Sequence, residues 1–177
     1  MKAVMLDLET MGTRPYSAII AIGAVVFDIE KRTIEKDFYT TVNLEDCLQH
    51  GLKVSGGTVN WWMSQSEEAR EALTSSMALP LEVALQEFAM MFEFYPDMEV
   101  WGNGSDFDNV LLSCAYEVAG VPIAWNPFKN RCYRTIKNLP QHRNTKIVRV
   151  GTHHNALDDA RSQALHLIQL LNPPVPA

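Results

Sequence analysis

Residues 2–8, KAVMLDL, and residues 18–28, AIIAIGAVVFD, decide how this chain folds. Both are short apolar runs too brief for a core helix, and the second is rich in Ile and Val, as a buried strand should be. Lys31 and Arg32 mark a turn, after which Ile34 to Val42 alternates enough to form a third strand. Three strands in immediate succession make a meander rather than a β–α–β unit. The chain therefore opens as an antiparallel ribbon, and any parallel strand must come later.

Asn43 to Ser66 contains the breaker Ser55-Gly56-Gly57 and reads as an irregular excursion. Ser66, followed by Glu67, Glu68 and Ala69, signals a helix start with acids in its first turn. Pro80 to Phe94 predicts a helix with Leu81, Ala84, Leu85, Phe88 and Met91 on one stripe. Met98 to Gly102 is a short strand, Asp108 to Ala119 a helix, and Asn155 to Leu171 a last helix stopped by Asn172-Pro173-Pro174. The expectation is one α/β domain over residues 1–172, with a mixed sheet, helices on both faces and a short Pro-rich tail over 173–177.

The 177 residues are 47% hydrophobic and 20% charged, which excludes disordered and fibrous classes. No apolar run approaches the roughly 20 residues that span a bilayer. Asp7 and Glu9 arrive too early for the start to read as a signal peptide. Cys47, Cys114 and Cys132 are odd in number and lack CxxC spacing, as expected of reduced thiols in the cytoplasm.

Net charge is −6, which argues against a passive nucleic-acid coat, yet the charge is unevenly spread. No acid occurs between Glu117 and Asp158, and that stretch holds Lys129, Arg131, Arg134, Lys137, Arg143, Lys146 and Arg149. A basic strip in an acidic chain suits an enzyme that grips a polyanion and cuts it with metals.

Three patterns carry chemistry. Asp7 and Glu9, two apart on a strand, share one face, and burying them together is costly without cations. Trp101-Gly102-Asn103-Gly104-Ser105-Asp106-Phe107-Asp108-Asn109 runs a strand into a glycine turn with two acids at a helix start. His153-His154-Asn155-Ala156-Leu157-Asp158-Asp159 sets imidazoles just before a helix and acids in its first turns. An imidazole there can take a proton from water while a nearby acid holds a metal.

Asp7-Leu8-Glu9-Thr10, then Phe107-Asp108, then His154 with Asp159 five residues on, resembles the DEDDh 3′–5′ exonucleases of the DnaQ-like superfamily. Trp101-Gly102-Asn103-Gly104 and Trp61-Trp62 look closer to small phage and prophage members. The motifs span residues 7 to 159. The resemblance implies an RNase H-like fold, in agreement with the meander.

It also implies that Asp7, Glu9, Asp108 and Asp159 hold two divalent ions and that His154 is the general base. Oxygen ligands favour Mg²⁺, with Mn²⁺ as a substitute. Asp106 and Asp158 compete with Asp108 and Asp159. The Phe-Asp pair favours Asp108, and the family's His-to-Asp spacing favours Asp159. His153 competes with His154, but the next residue points elsewhere in most backbone conformations. His50, His142, His153 and His166 show no HxH, HExxH or Cys partner, which disfavours a zinc hydrolase.

Single-stranded ends are gripped by stacking and charge. Trp61 and Trp62 are candidates for the first, and Arg131, Arg134 and Lys137 for the second. By family analogy Thr10, Met11 and Asn103 would lie near the terminal nucleotide. The expected activity is release of nucleoside monophosphates from single-stranded DNA or RNA in a bacterial cell or phage-infected host, by a chain that acts away from membranes and could be a homodimer. The alternatives are a ribonuclease that trims RNA ends, or a nucleic-acid-binding module that keeps the fold without catalysis.

Overall fold

The computed structural model describes residues 2–173 and builds a five-stranded sheet in the order β3-β2-β1-β4-β5. The strands are β1 (Lys2–Thr10), β2 (Ile19–Asp28), β3 (Thr33–Thr41), β4 (Glu99–Gly102) and β5 (Asn130–Cys132). β1, β2 and β3 pair antiparallel as the meander demands, while β4 and β5 add in parallel beside β1. This is the mixed sheet expected from the sequence.

All ten residues of β2 are buried, which explains its unbroken apolar run: both faces of the sheet are covered. On one face Val4, Leu6, Leu8, Ile20 and Ile22 pack with Leu81, Leu85 and Phe88 of α3 (Leu81–Ala89) and Leu112 and Tyr116 of α4 (Asp108–Ala119). On the other, Ala3, Met5, Val25, Phe27 and Trp101 meet Ala160, Ala164, Leu167 and Ile168 of a long C-terminal helix, Ala156–Leu171.

Gly23 decides where that helix begins. It pairs with Asp7 across the β1–β2 ladder, and a Cβ there would sit 2.1 Å from the Ala156 carbonyl carbon. Only glycine lets the helix start come down onto the sheet at this point. The first turns of the helix are thereby set beside Asp7.

Three expectations change. The excursion over 43–66 contains α1 (Leu44–Gln49), capped by Asn43, whose side chain accepts from the Asp46 N–H, and α2 (Gly56–Met63). Gly56 and Gly57 open α2 instead of breaking it, and Trp62 anchors it in the core. The helix signalled at Ser66 does not extend: only a 3-10 turn, Glu71–Thr74, follows, because Ala69, Ala72 and Leu73 are too few apolar groups to hold a longer helix against the core. The helix over 80–94 tightens to 3-10 geometry at Met90–Phe92. The short β5 and the helix after it, α5 (Tyr133–Lys137), carry too little periodicity to be read from sequence; the C-terminal helix is α6. The tail expected over 173–177 lies, beyond Pro173, outside the described residues.

Among the described residues no helix is long and apolar enough to cross a membrane. Cys47, Cys114 and Cys132 are free thiols.

Candidate active site

The C-terminal end of β1 brings Asp7 and Glu9 out on the α6 face of the sheet. Asn155 caps α6 by accepting from the Leu157 and Asp158 N–H groups, and the helix then delivers Asp159 opposite the strand pair. Carboxylate oxygens of Asp7, Glu9 and Asp159 all lie within 4.8 Å of one another. Asp108 joins from the start of α4, its two oxygens accepting from the N–H groups of Leu8 (3.2 Å) and Asn103 (2.9 Å). Four acids from three elements thus line one cavity of 670 Å³.

The alternatives left open by spacing separate here. Asp106 is exposed and off the cavity, whereas Asp108 is buried within it. Asp158 turns to the loop before α6: its Oδ2 accepts from the Thr152 N–H at 2.8 Å. Its carboxylate also fills the space a Cβ on Gly151 would need, at 2.1 Å, and Gly151 has φ +69°. Asp158 shapes the loop; Asp159 enters the cluster.

The acids lack sufficient countercharge. Burial pushes the Asp7 carboxyl well above the carboxylate range, with Asp108 and Glu9 adding to the shift. Glu9 moves the same way, through burial and then Asp159 and Asp108. Burial also raises Asp108, against the pull of its backbone donors. Gln163 donates to Asp7 at 2.7 Å, and Arg149 donates to Asp159 at 2.5 Å. Such a cluster calls for a multivalent cation, and its all-oxygen donors fit Mg²⁺ or Mn²⁺.

His154 stands at the rim, its backbone N–H donating to Asp159 at 3.1 Å. It has φ +65°, a strained value for a residue with a Cβ. That twist lays its ring on His153, centroids 3.8 Å apart, so the two neighbours do not diverge as expected. Trp61 meets the His154 ring edge-on at 4.9 Å. Burial, and then the His153 ring, hold the His154 pKa below its usual value, which keeps the imidazole neutral and able to accept a proton.

Arg134, Lys137, Arg143 and Arg149 also line the cavity and bring positive charge to it. Arg134 donates to the Asn103 carbonyl, and Lys137 donates to Asn103 Oδ1 at 3.2 Å. Thr10, Trp61, Trp62 and Asn103 also line the space. Met11 does not; it is buried in the larger core cluster. Arg131 is likewise outside the cavity, tied by an ion pair to Glu99 at 2.7 Å on the edge of the sheet.

Gln163 went unnoticed in the sequence. Its one signal is its place four residues after Asp159, one helical turn along the same face. Arg149 was visible only as part of the basic stretch, because an irregular loop decides its aim.

A family model described as a 3′-5′ exoribonuclease Rv2179c-like domain matches residues 2–171. No curated protein sequence matches the chain. Among solved structures, the nuclease domain of 3′hExo, a DEDDh family member bound to rAMP, is similar at 15% identity and a TM-score of 0.60, over 96% of this chain and 91% of that one. Cell-death related nuclease 4 (CRN-4) gives 12% and 0.62, over 95% of this chain and 62% of that one. Escherichia coli exonuclease I in complex with a dA16 oligonucleotide gives 12% and 0.67; 97% of this chain is covered but only 41% of that one. These likenesses establish the RNase H-like exonuclease fold.

Proposed function

The chain belongs to the family of 3′-5′ exoribonuclease Rv2179c-like domains, and we propose that it shortens single-stranded RNA or DNA from the 3′ end, one nucleoside monophosphate at a time. It is a 3′–5′ exonuclease of the DEDDh type acting on nucleic acid. The observation that carries the finer reading is the convergence of Asp7, Glu9, Asp108 and Asp159 in one cavity with His154, whose ring nitrogen lies within 4.8 Å of an Asp159 oxygen.

The cluster fits divalent cations: its oxygens are buried, close together and short of countercharge. Asp7, Glu9, Asp108 and Asp159 would hold two such ions, Mg²⁺ by preference. When bound, the pair would supply Lewis-acid polarisation of water and stabilisation of charge on the leaving oxygen.

The chain's own groups do the rest. His154, neutral at pH 7, takes the proton of the attacking water on its ring nitrogen. The capping Asn155 and the bond from the His154 N–H to Asp159 hold that ring over the cluster. Arg134 and Lys137, braced on Asn103, present positive charge to the phosphates. Trp61, 41% exposed, offers a face for a base to stack on, while Trp62, 1% exposed, supports it from below.

The metal ligands and the proton acceptor act on the phosphodiester and not on the 2′-hydroxyl, so both sugars are candidate substrates; the family description favours RNA, and an RNA-end trimmer is the second reading. The test is a time course on 5′-labelled single-stranded RNA and DNA of one sequence with Mg²⁺, beside an Asp7→Asn control. A ladder shrinking by single nucleotides, absent in the control, is expected. Binding with no product from either substrate, with Mn²⁺ also tried, would leave a non-catalytic binding module.

A further inference from the structure

The oxygen cluster is not the only metal-competent group in the cavity. Nitrogen atoms of His153 and His154 and an oxygen of Asp159 also lie within 4.8 Å of one another. We propose that these three side chains form a separate transition-metal site, with Zn²⁺ as its ligand, and that filling it switches the exonuclease off.

Donor chemistry sets this group apart. Two imidazoles and one carboxylate suit zinc, whereas Mg²⁺ and Mn²⁺ take oxygen. Three protein ligands with one position left to water form a familiar zinc arrangement.

The geometry is close to what such a site needs. Tetrahedral zinc with bonds of about 2.0–2.1 Å sets its ligand atoms about 3.3 Å apart. The trio must therefore contract by an ångström or so. The rings are stacked face to face, 3.8 Å apart and 29° from parallel, and must unstack to share one ion, because each imidazole binds metal in the plane of its ring. His153 is exposed and its ring can turn to complete the set. The positive φ of His154 makes this possible, since consecutive side chains otherwise diverge. No HxH or HExxH spacing announces the site, because α6 supplies the third ligand.

The consequence follows from two shared residues. A zinc ion here would occupy the lone pair of His154, on the reading above the base that takes the water's proton. It would also draw the Asp159 carboxylate away from the oxygen cluster. Arg149, already paired with Asp159 through Nη1, would have to swing outward, which its exposed position on an irregular loop allows. Inhibition rests on the proposed role of His154; zinc binding does not.

The experiment compares metal-free wild type, His153→Gln and Asp7→Asn for Zn²⁺ binding in competition with a chromogenic chelator. Exonuclease activity in Mg²⁺ is titrated with Zn²⁺ in parallel. Zinc affinity is expected to fall about tenfold or more in His153→Gln and to stay at the wild-type level in Asp7→Asn. His153→Gln should need correspondingly more Zn²⁺ for half-inhibition, each variant being scored against its own zinc-free turnover in Mg²⁺. Equal zinc affinity in wild type and His153→Gln would overturn the site, as would loss of zinc binding in Asp7→Asn, which would put the ion in the oxygen cluster. Full turnover by Asp7→Asn would instead sink the proposed mechanism and leave the binding result standing.

Discussion

The backbone N–H of His154 donates to Oδ2 of Asp159 at 3.1 Å, while Oδ1 of the same carboxylate accepts from Arg149 at 2.5 Å. One side chain therefore fixes the position of the candidate base and offers charge to the candidate metals. Asp159→Asn keeps an oxygen for the loop but loses the charge. Turnover should fall by more than the about 10–100-fold typical of outer-shell changes, without loss of folded structure. Asp108→Asn should behave alike, whereas exposed Asp106→Ala should stay near wild type. Steady-state kinetics with circular dichroism checks all three; full activity in Asp108→Asn would refute the assignment.

Asp158 acts on the reaction through the loop. Removing its carboxylate frees the Thr152 N–H and loosens the turn at Gly151, whose positive φ and missing Cβ both accommodate it. Asp158→Ala and Gly151→Ala should each lower kcat about 10–100-fold with little change in KM. The pH profile of kcat should move too, since the loop sets the surroundings of His154. A KM effect alone would assign this loop to substrate binding instead.

The tandem tryptophans should part company. Trp62 is buried and its indole N–H donates to the Thr10 carbonyl at 3.0 Å, so Trp62→Ala should cost about 3–5 kcal/mol of stability. Trp61→Ala should leave the denaturation midpoint nearly unchanged. It should weaken single-strand binding by about 1–3 kcal/mol, the worth of one base stack. Equal stability losses at both positions would remove Trp61 from the substrate surface.

Metal-free protein should be less stable in alkali than in mild acid. Asp7, Glu9 and Asp108 titrate near about 4 when unfolded, but higher in the folded chain, with Glu9 pushed up to about 9. Between those limits the folded state binds more protons, so stability is fully present below the unfolded value and falls as pH rises toward the folded one. Melting curves with a chelator should show Tm dropping from about pH 5 to pH 9. Mg²⁺ should restore much of the loss, and Asp7→Asn should raise Tm at alkaline pH. A Tm that is flat or rises with pH would contradict the shortage of countercharge.

The residue pattern determined the meander, α4, α6 and the acid pair on one strand face, because strand and helix periods are local and Asp7 and Glu9 sit two apart. The motifs themselves pointed to the exonuclease family. Local pattern failed where tertiary contacts rule. α2 forms across two glycines because Trp62 has a core to enter, and the helix signalled at Ser66 fails for want of one.

The motifs favoured Asp108 over Asp106 and Asp159 over Asp158, but only the tertiary structure supplies a physical reason for the difference. Those choices depend on which N–H groups each carboxylate meets, from Leu8 a hundred residues away or from Thr152 in the loop. The folded chain likewise sent Met11 into the core and Arg131 to Glu99, and brought Gln163 and Arg149 onto the acids. A side chain's chemistry is written in its residue type, but the partner it faces is set by where the chain returns.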